Sequence, residues 1–358
     1  MKLPFISIII LNWNGKKHLK YCLASLKRTA YPADKLEVIV VDNNSSDGST
    51  IFVKKFYPNV CLLELDRNYG FAGGNNRGAQ IAKGEMLVFL NNDTEVTENW
   101  LIELVNIAKE DRQIGICGSK ILFMEHRDMI QYAGGSLNIL GGAVSTHVWR
   151  EDKFIQVHSP MIVGYVCGAC LLVKRDLFDL LGGFDEDYFM YSDENDLCWR
   201  CWLLGYKVVY VPRSIVYHLG EGGTKRESHK RRLYYKKGRK NVIPQGRIIS
   251  DTRLYYANRN ALFNLTKNLE VRNAIIGIIG SIIYFTYQTI SLLRQREPKR
   301  LLFLCGALLS YLKSISSVWK KRQFIQENRM KSDKELFNEG LILDLRSSIA
   351  LTLKRRLK

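Results

Sequence analysis

Six carboxylates fall within twelve residues, Asp185 to Asp196, in a run that reads Asp-Glu-Asp-Tyr-Phe-Met-Tyr-Ser-Asp-Glu-Asn-Asp-Leu-Cys-Trp-Arg up to Arg200. Tyr188, Phe189, Met190 and Tyr191 are set among them. A carboxylate in a partly apolar wall has its charged form destabilised, which is how a general base working near neutral pH is made. The run has a plainer reading too, because Asp193, Glu194 and Asp196 would favour the positive end of a helix dipole. Asp196 and Arg200 stand four residues apart, a spacing that pairs them on one helix face and points to anchoring, not chemistry.

A second set of polar residues recurs at the ends of short apolar runs. Asn12-Trp13-Asn14-Gly15 follows Phe5 to Leu11, and Asp42 to Thr50 follows Val38 to Val41. Asp66 to Gly78 follows Val60 to Leu65, and Asn91-Asn92-Asp93-Thr94 follows Met86 to Leu90. One such loop is ordinary turn chemistry; four in succession are not. They lack the G-x-x-x-x-G-K-[ST] pattern of a lysine-bearing phosphate loop. Their Asp, Asn and Gly residues suit hydrogen bonds to a base and ribose, and Asp93 suits a divalent cation that carries phosphates.

The elements that must position these loops follow from the apolar runs. Continuous β-branched stretches mark buried parallel strands. The segment Lys17 to Lys27 has helical spacing, and further helices are expected to open near Ser49 and in the Asp66–Gly78 loop. Strands alternating with helices predict an α/β fold, a mostly parallel sheet with helices on both faces and ligands at the carboxyl ends of its strands. Ile162 to Val173 reads as one more strand-like run, and Val208 to Val211 as another, ended by Pro212.

The chain has 358 residues and a formal charge of +18, which points to a polyanionic partner. Eight cysteines at scattered spacings suggest reduced thiols. The two C-x-x-C pairs, Cys167/Cys170 and Cys198/Cys201, lie in apolar segments where small buried cysteines fit better than structural zinc. The first residues, Met1 to Phe5, lack the apolar run of a signal peptide, so a cytosolic N-terminus is expected.

Taken together, Ser7–Gly15, the Asp42–Gly48 loop, Asn68-x-Gly-Phe-Ala-Gly-Gly-Asn-Asn-x-Gly78, Leu90–Asp93, Gly168–Arg175, Gly183-Phe-Asp-Glu186 and Phe189-x-Tyr-x-Asp-Glu-x-Asp-Leu-Cys-x-Arg200 resemble the family-2 inverting glycosyltransferases. The nearest branch resembles rhamnosyltransferases that build surface polysaccharides, and the likeness covers about residues 3 to 260. It implies a glycosyltransferase-A type fold and sugar transfer, rhamnose favoured, from a nucleoside diphosphate such as dTDP to an acceptor hydroxyl. Such chemistry needs a base for the acceptor proton, positive charge for the departing diphosphate and in-line geometry. The resemblance places donor binding on Asn14, Asp42, Asn68, Gly74, Asn75, Asn92 and Asp93, and the acceptor side on Asp185 and Glu186. It makes Asp93 the metal ligand for Mg²⁺ or Mn²⁺, with Asn91 where the family carries a first Asp, and sets His218 near the diphosphate or metal. Asp193-Glu194 reverses the family's usual Glu-Asp, so Glu194 takes the place of the base with Asp193 beside it.

The chain divides into an expected catalytic domain over 1–225, a basic, aromatic-rich connector over 226–270 and a helical region over 271–358. From Lys225 to Arg259 there are twelve Lys or Arg and two acids. Asn273 to Leu293 is 21 residues without a charge, and Leu301 to Trp319 is a second apolar segment beyond the basic Arg294–Arg300 loop. A spanning hairpin would carry that basic loop outward, against the positive-inside rule. Two helices at the cytosolic face of the membrane are expected instead, peripheral or monotopic, with basic side chains on anionic lipid. A helical appendage or homo-oligomer interface is the alternative, and one further helix is expected over Leu336 to Leu353. The expected partners are a nucleotide-sugar and a saccharide or lipid-linked acceptor. A nucleic acid is not expected, since no base-reading helix is evident. A non-catalytic nucleotide-binding scaffold is the competing function, kept open by Asn91.

Overall fold

The β-branched run near the N-terminus forms β1 (Ile6–Asn12), buried along almost its whole length as a strand flanked on both sides must be. β2 (Leu36–Asp42) and β4 (Met86–Asn91) lie parallel to it, with Asn12 level with Asp42 and Leu11 level with Asn91. This register gathers the polar strand ends along one edge. β3 (Cys61–Glu64) pairs in parallel beyond β2. The crossovers carry α1 (Lys16–Leu26), α2 (Ser49–Phe56) and α3 (Gly70–Ile81). These descriptions, and all that follow, concern residues 3–155, 157–220 and 250–348 of a computed structural model.

Beyond β4 the chain adds β5 (Thr94–Val96), α4 (Trp100–Glu110), β6 (Ile114–Phe123), β7 (His126–Tyr132), β8 (Gly135–Asn138), β9 (Ala143–Ser145), β10 (Met161–Ile162), β11 (Cys170–Lys174), α5 (Arg175–Leu180), α6 (Asp193–Leu203) and β12 (Lys207–His218); β8 and β9 lie in a separate small sheet, and the other strands extend the main sheet. Its order is β10-β12-β6-β11-β4-β1-β2-β3, with β5 against β12 and β7 against β6. β11 runs antiparallel to both β4 and β6, so its first residue, Cys170, sits beside Leu90 at the polar edge.

Two expectations are corrected here. The run Ile162 to Val173 is not one strand: it holds the end of β10, a turn and then β11, because Gly164 and Gly168 interrupt it. The strand beginning near Val208 does not stop at Pro212. β12 continues to His218, and its register against β6 slips between Val211 and Ile215, which lets the chain pass a residue without an amide hydrogen.

The described chain clusters into two compact units, residues 1–135 with 145–219, and residues 136–144 with 220–358. Within the second, α7 (Asp251–Asn268) packs with α8 (Val271–Arg294) and α9 (Pro298–Asn328). Arg322 of α9 donates to the carbonyls of Thr266 and Leu269, both at 2.6 Å, and satisfies the end of α7. Both α8 and α9 leave large apolar residues exposed. Ala274, Gly277 and Ser281 are buried on α8, whereas Ile275, Ile279, Ile282, Ile283, Ile290 and Leu293 are exposed. Both helices are long and apolar enough to cross a membrane.

The single helix expected over Leu336 to Leu353 is also corrected. α10 (Asp333–Asn338) starts on a capping box between Ser332 and Glu335 and stops before Gly340, whose φ of 69° is left-handed. Ile342–Leu343 then form β13, paired in parallel with Leu137 and Asn138 of β8. Residues 349–358 lie outside the described residues, as does the stretch 221–249 that holds most of the basic connector.

Candidate active site

The polar edge is tied together by amides. Asn12, fully buried, donates through Nδ2 to Asp42 Oδ1 and Ser45 Oγ, both at 3.2 Å, and accepts from Asn92 Nδ2 at 2.7 Å. Asp42 Oδ2 accepts from the Ser45 amide at 2.8 Å. Asn14 Oδ1 accepts from the Ser46 amide at 2.8 Å. One network therefore joins Asn14, Asp42 and Asn92, which come from three separate loops. Asp47 also enters it: its carboxylate accepts from the amides of Lys16 at 2.9 Å and Ser49 at 3.0 Å. Burial would raise the Asp47 acid, but the Ser49 hydroxyl and these amides outweigh it and hold it below the usual range.

The glycine-rich loop is fixed differently. Asn68 Oδ1 accepts from the Gly70 amide at 2.8 Å and from Asn43 Nδ2 at 2.9 Å. Gly70 has φ 72°, and a side chain there would strike the Phe189 carbonyl. Gly74 lies so close to Leu11 that a Cβ would collide with it, which brings α3 down onto β1. Asn75 is buried and donates to the Phe71 carbonyl at 3.0 Å. The structure thus uses Gly74 and Asn75 in packing α3, while Asn14, Asp42 and Asn92 join the edge network.

At the end of β4, Asp93 Oδ1 lies 3.1 Å from His218 Nε2. Asn91 Nδ2 lies 3.3 Å from the same nitrogen, and His218 Nδ1 is 2.8 Å from Gln131 Oε1. Burial would raise the Asp93 acid, but the charge and hydrogen bond of His218, with the charge of His18, outweigh it and hold the carboxyl below its usual range. Asp93 and His218 are two side chains of types that can ligate a metal; among the described residues no three His, Cys, Asp or Glu side chains cluster as a metal site.

The two halves of the acidic run are joined by a turn in which Phe189, Tyr191 and Ser192 have φ of 63°, 67° and 65°. A backbone held in this region by ordinary residues costs on the order of 1–3 kcal/mol per residue, so the surroundings must fix it. Those surroundings are the anchor expected from sequence. Arg200 pairs with Asp196 at 2.8 Å and donates to the carbonyls of Leu181 at 2.6 Å and Gly183 at 3.0 Å. Asp185 Oδ1 caps a short turn by accepting from the Asp187 amide at 3.1 Å. Glu186 is held by Arg77 and Asn76, each at 3.2 Å.

The two candidate base carboxylates differ sharply. Asp193 is 2% exposed, its Oδ1 has no hydrogen-bond partner, and burial together with the neighbouring Glu194 charge pushes its acid far above the usual range. Glu194 is partly exposed and lies over the turn before β11, where a Cβ on Gly168 would be 3.5 Å from its carboxyl carbon. The Ala169 carbonyl in that turn accepts from the Asn91 amide at 3.0 Å. The enclosed Cys167 thiol, pushed up to about 12 by burial, feels both the Glu194 and the Asp93 charge. Glu194 thus lies over the turn whose Ala169 carbonyl is bonded to the strand end that carries Asp93. Asn12, Asn43, Asp47 and Gln131 are not singled out by the sequence; Asn12 and Asp47 sit in loops that carry the signal, whereas Gln131 carries none.

The family model described as glycosyl transferase family 2 matches residues 7–182. An L-rhamnosyltransferase of Mycobacterium tuberculosis, N-acetylglucosaminyl-diphospho-decaprenol L-rhamnosyltransferase, is 30% identical over 238 residues, covering 60% of this chain and 75% of that protein. The O-antigen biosynthesis protein RfbC of Myxococcus xanthus is 31% identical over 233 residues; the match takes in 60% of this chain and only 17% of that protein's length. Among solved structures, S. aureus TarS in complex with UDP-GlcNAc superposes with a TM-score of 0.56 at 16% identity, covering 94% of this chain and 92% of that one.

Proposed function

Because this chain belongs to glycosyltransferase family 2, and its fold is of the glycosyltransferase-A type, we propose that it is an inverting, metal-dependent sugar transferase. The donor is a nucleoside diphosphate sugar, with dTDP-rhamnose favoured by the relative that is named for L-rhamnose transfer. The acceptor is a saccharide, lipid-linked as that relative's name describes. The single observation that carries the reading is the convergence of Glu194, Asp93 and His218 on the polar edge.

The residues present fit a divalent ion. One carboxylate and one imidazole at 3.1 Å leave most of the coordination sphere to donor phosphates and water, which is what Mg²⁺ or Mn²⁺ accepts. The ion would be held by Asp93 and His218, and when bound it neutralises charge on the departing diphosphate. Asp42, Asn14 and Asn92 bind the nucleoside. Asp185 and Glu186 shape the acceptor side. Glu194 takes the proton of the acceptor hydroxyl, whose oxygen attacks the anomeric carbon opposite the diphosphate, so configuration inverts. Asp193, buried and short of a hydrogen bond, stays protonated beside it.

In this reading the enzyme works at the cytoplasmic face of a membrane. The outward isoleucines of α8, with Leu309 and Leu312 of α9, support insertion into one leaflet. The division into a catalytic domain over 1–225, a connector over 226–270 and an interfacial region over 271–358 describes these roles. Incubating the protein, Mn²⁺ and a bacterial lipid extract with a panel of nucleotide-sugars tests the reading. Release of nucleoside diphosphate with one donor is expected, and no release with any donor would contradict it.

A further inference from the structure

The ring of His218 is held from both sides, and one of the holders comes from an element no motif reaches. Gln131 lies in β7, where Leu122 of β6 pairs with Ile130 and Ile121 pairs with Tyr132. One step on β6 thus faces two on β7, and Gln131 is the extra residue of a bulge. Bulges turn a side chain away from the regular alternation. Here the neighbours Ile130 and Tyr132 are buried in the core, and Gln131 is turned to His218, with Oε1 2.8 Å from Nδ1.

On the other side of the ring, the Asn91 amide nitrogen stands 3.3 Å from Nε2. An ion bound at Nε2 takes that nitrogen's lone pair, which leaves the ring proton on Nδ1. The Nδ1–H then needs an acceptor, and Gln131 Oε1 is in place for it. Asp93 Oδ1, 3.1 Å from the same Nε2, adds a second electron-rich atom facing that lone pair. In the empty site a proton on Nε2 can link the two, and a cation bound by both takes its place.

We infer that Gln131 is the positioning residue of this centre, fixing the proton of His218 on Nδ1 and aiming Nε2 at the ion shared with Asp93. The inference rests on the reading of Asp93 and His218 as metal ligands.

The test compares native protein with Gln131→Met, Gln131→Glu and His218→Ala. Mn²⁺ is titrated in the presence of UDP or dTDP, and the ring nitrogens of ¹⁵N-histidine-labelled native protein loaded with Mg²⁺ and the same nucleotide are read by NMR. Gln131→Met is expected to weaken Mn²⁺ binding by about 10–100-fold, the usual effect of losing an outer hydrogen bond to a ligating histidine. Gln131→Glu, which keeps an acceptor, is expected to retain affinity near that of native protein. His218 in native protein is expected to carry its proton on Nδ1. Native-like Mn²⁺ affinity in Gln131→Met with loss in His218→Ala would overturn the role of Gln131 and leave the metal pair standing. Native-like affinity in both would overturn the metal reading itself. If Gln131→Met does not fold, a proton found on Nε2 of His218 in native protein overturns the inference, and one on Nδ1 supports it.

Discussion

Asp93 Oδ1 lies 3.1 Å from His218 Nε2, with the Asn91 amide beside them. The pair carries one carboxylate, because position 91 is Asn, and fewer charged ligands mean weaker intrinsic affinity for a hard cation. Asn91→Asp is therefore expected to bind Mn²⁺ more tightly in the presence of UDP or dTDP. Asp93→Asn should raise the Mn²⁺ concentration needed for half-maximal transfer by at least about tenfold. Titrating transfer against Mn²⁺ checks both. Unchanged curves would remove Asp93 from the metal site.

Asp193 should make the protein less stable as pH rises. Its acid is raised by burial and by the Glu194 charge, so the folded form prefers it protonated while the unfolded chain ionises near the ordinary value of about 3.9. The contribution is fully present below that value and is lost as pH climbs toward the raised one. Asp193→Asn, a fixed mimic of the protonated acid, is expected to be more stable than native protein at pH 8 by roughly 1–3 kcal/mol, with the difference vanishing toward pH 4. Denaturant unfolding across this range reads it out.

The Asp196–Arg200 pair is buried, with the two side chains 0% and 8% exposed. Removing one partner strands the other, at a cost of about 3–5 kcal/mol. Arg200→Met also orphans the carbonyls of Leu181 and Gly183. Loss of cooperative unfolding, or a midpoint shift of this size, is expected for it; a stability close to native would show that the turn before α6 is fixed by other contacts.

Membrane binding should depend on the outward apolar side chains. Ile279, Ile283, Leu309 and Leu312 are each more than half exposed, and burying such a side chain contributes about 1.5–3 kcal/mol. The variant with all four changed to glutamate is expected to stay in the supernatant when native protein sediments with anionic liposomes. Equal sedimentation of the two would contradict an interfacial role for α8 and α9.

Much of this is legible in the chain itself. The apolar runs ending in Asn12, Asp42 and Asn91 form β1, β2 and β4 with those residues at their ends. Local sequence carries such features because a doubly covered strand must be apolar throughout. What it does not carry depends on contacts far along the chain. Pro212 reads as a stop, yet β12 passes it by slipping register against β6. The apolar pattern from Leu336 onward reads as a helix, yet Leu341 and Ile342 are buried beside β8 and a left-handed Gly340 breaks the helix. Gln131 meets His218 across β6 and β7, two strands far apart in the chain from β12 and its motif. In the same way, Asn75 belongs to a glycine-rich loop that reads as ligand-binding, but its amide is spent on the Phe71 carbonyl.

The central claim is that Glu194 takes the acceptor proton, and transfer by Glu194→Gln measured beside Asp193→Asn tests it most directly. With the donor found in the nucleotide-sugar panel, Glu194→Gln is expected to lose about 10²–10⁴-fold in transfer rate, the usual contribution of a general base, while its affinity for donor and Mn²⁺ stays native. Asp193→Asn is expected to keep most of its rate. A Glu194→Gln variant that transfers sugar at the native rate, or an Asp193→Asn variant that alone loses it, would contradict the account.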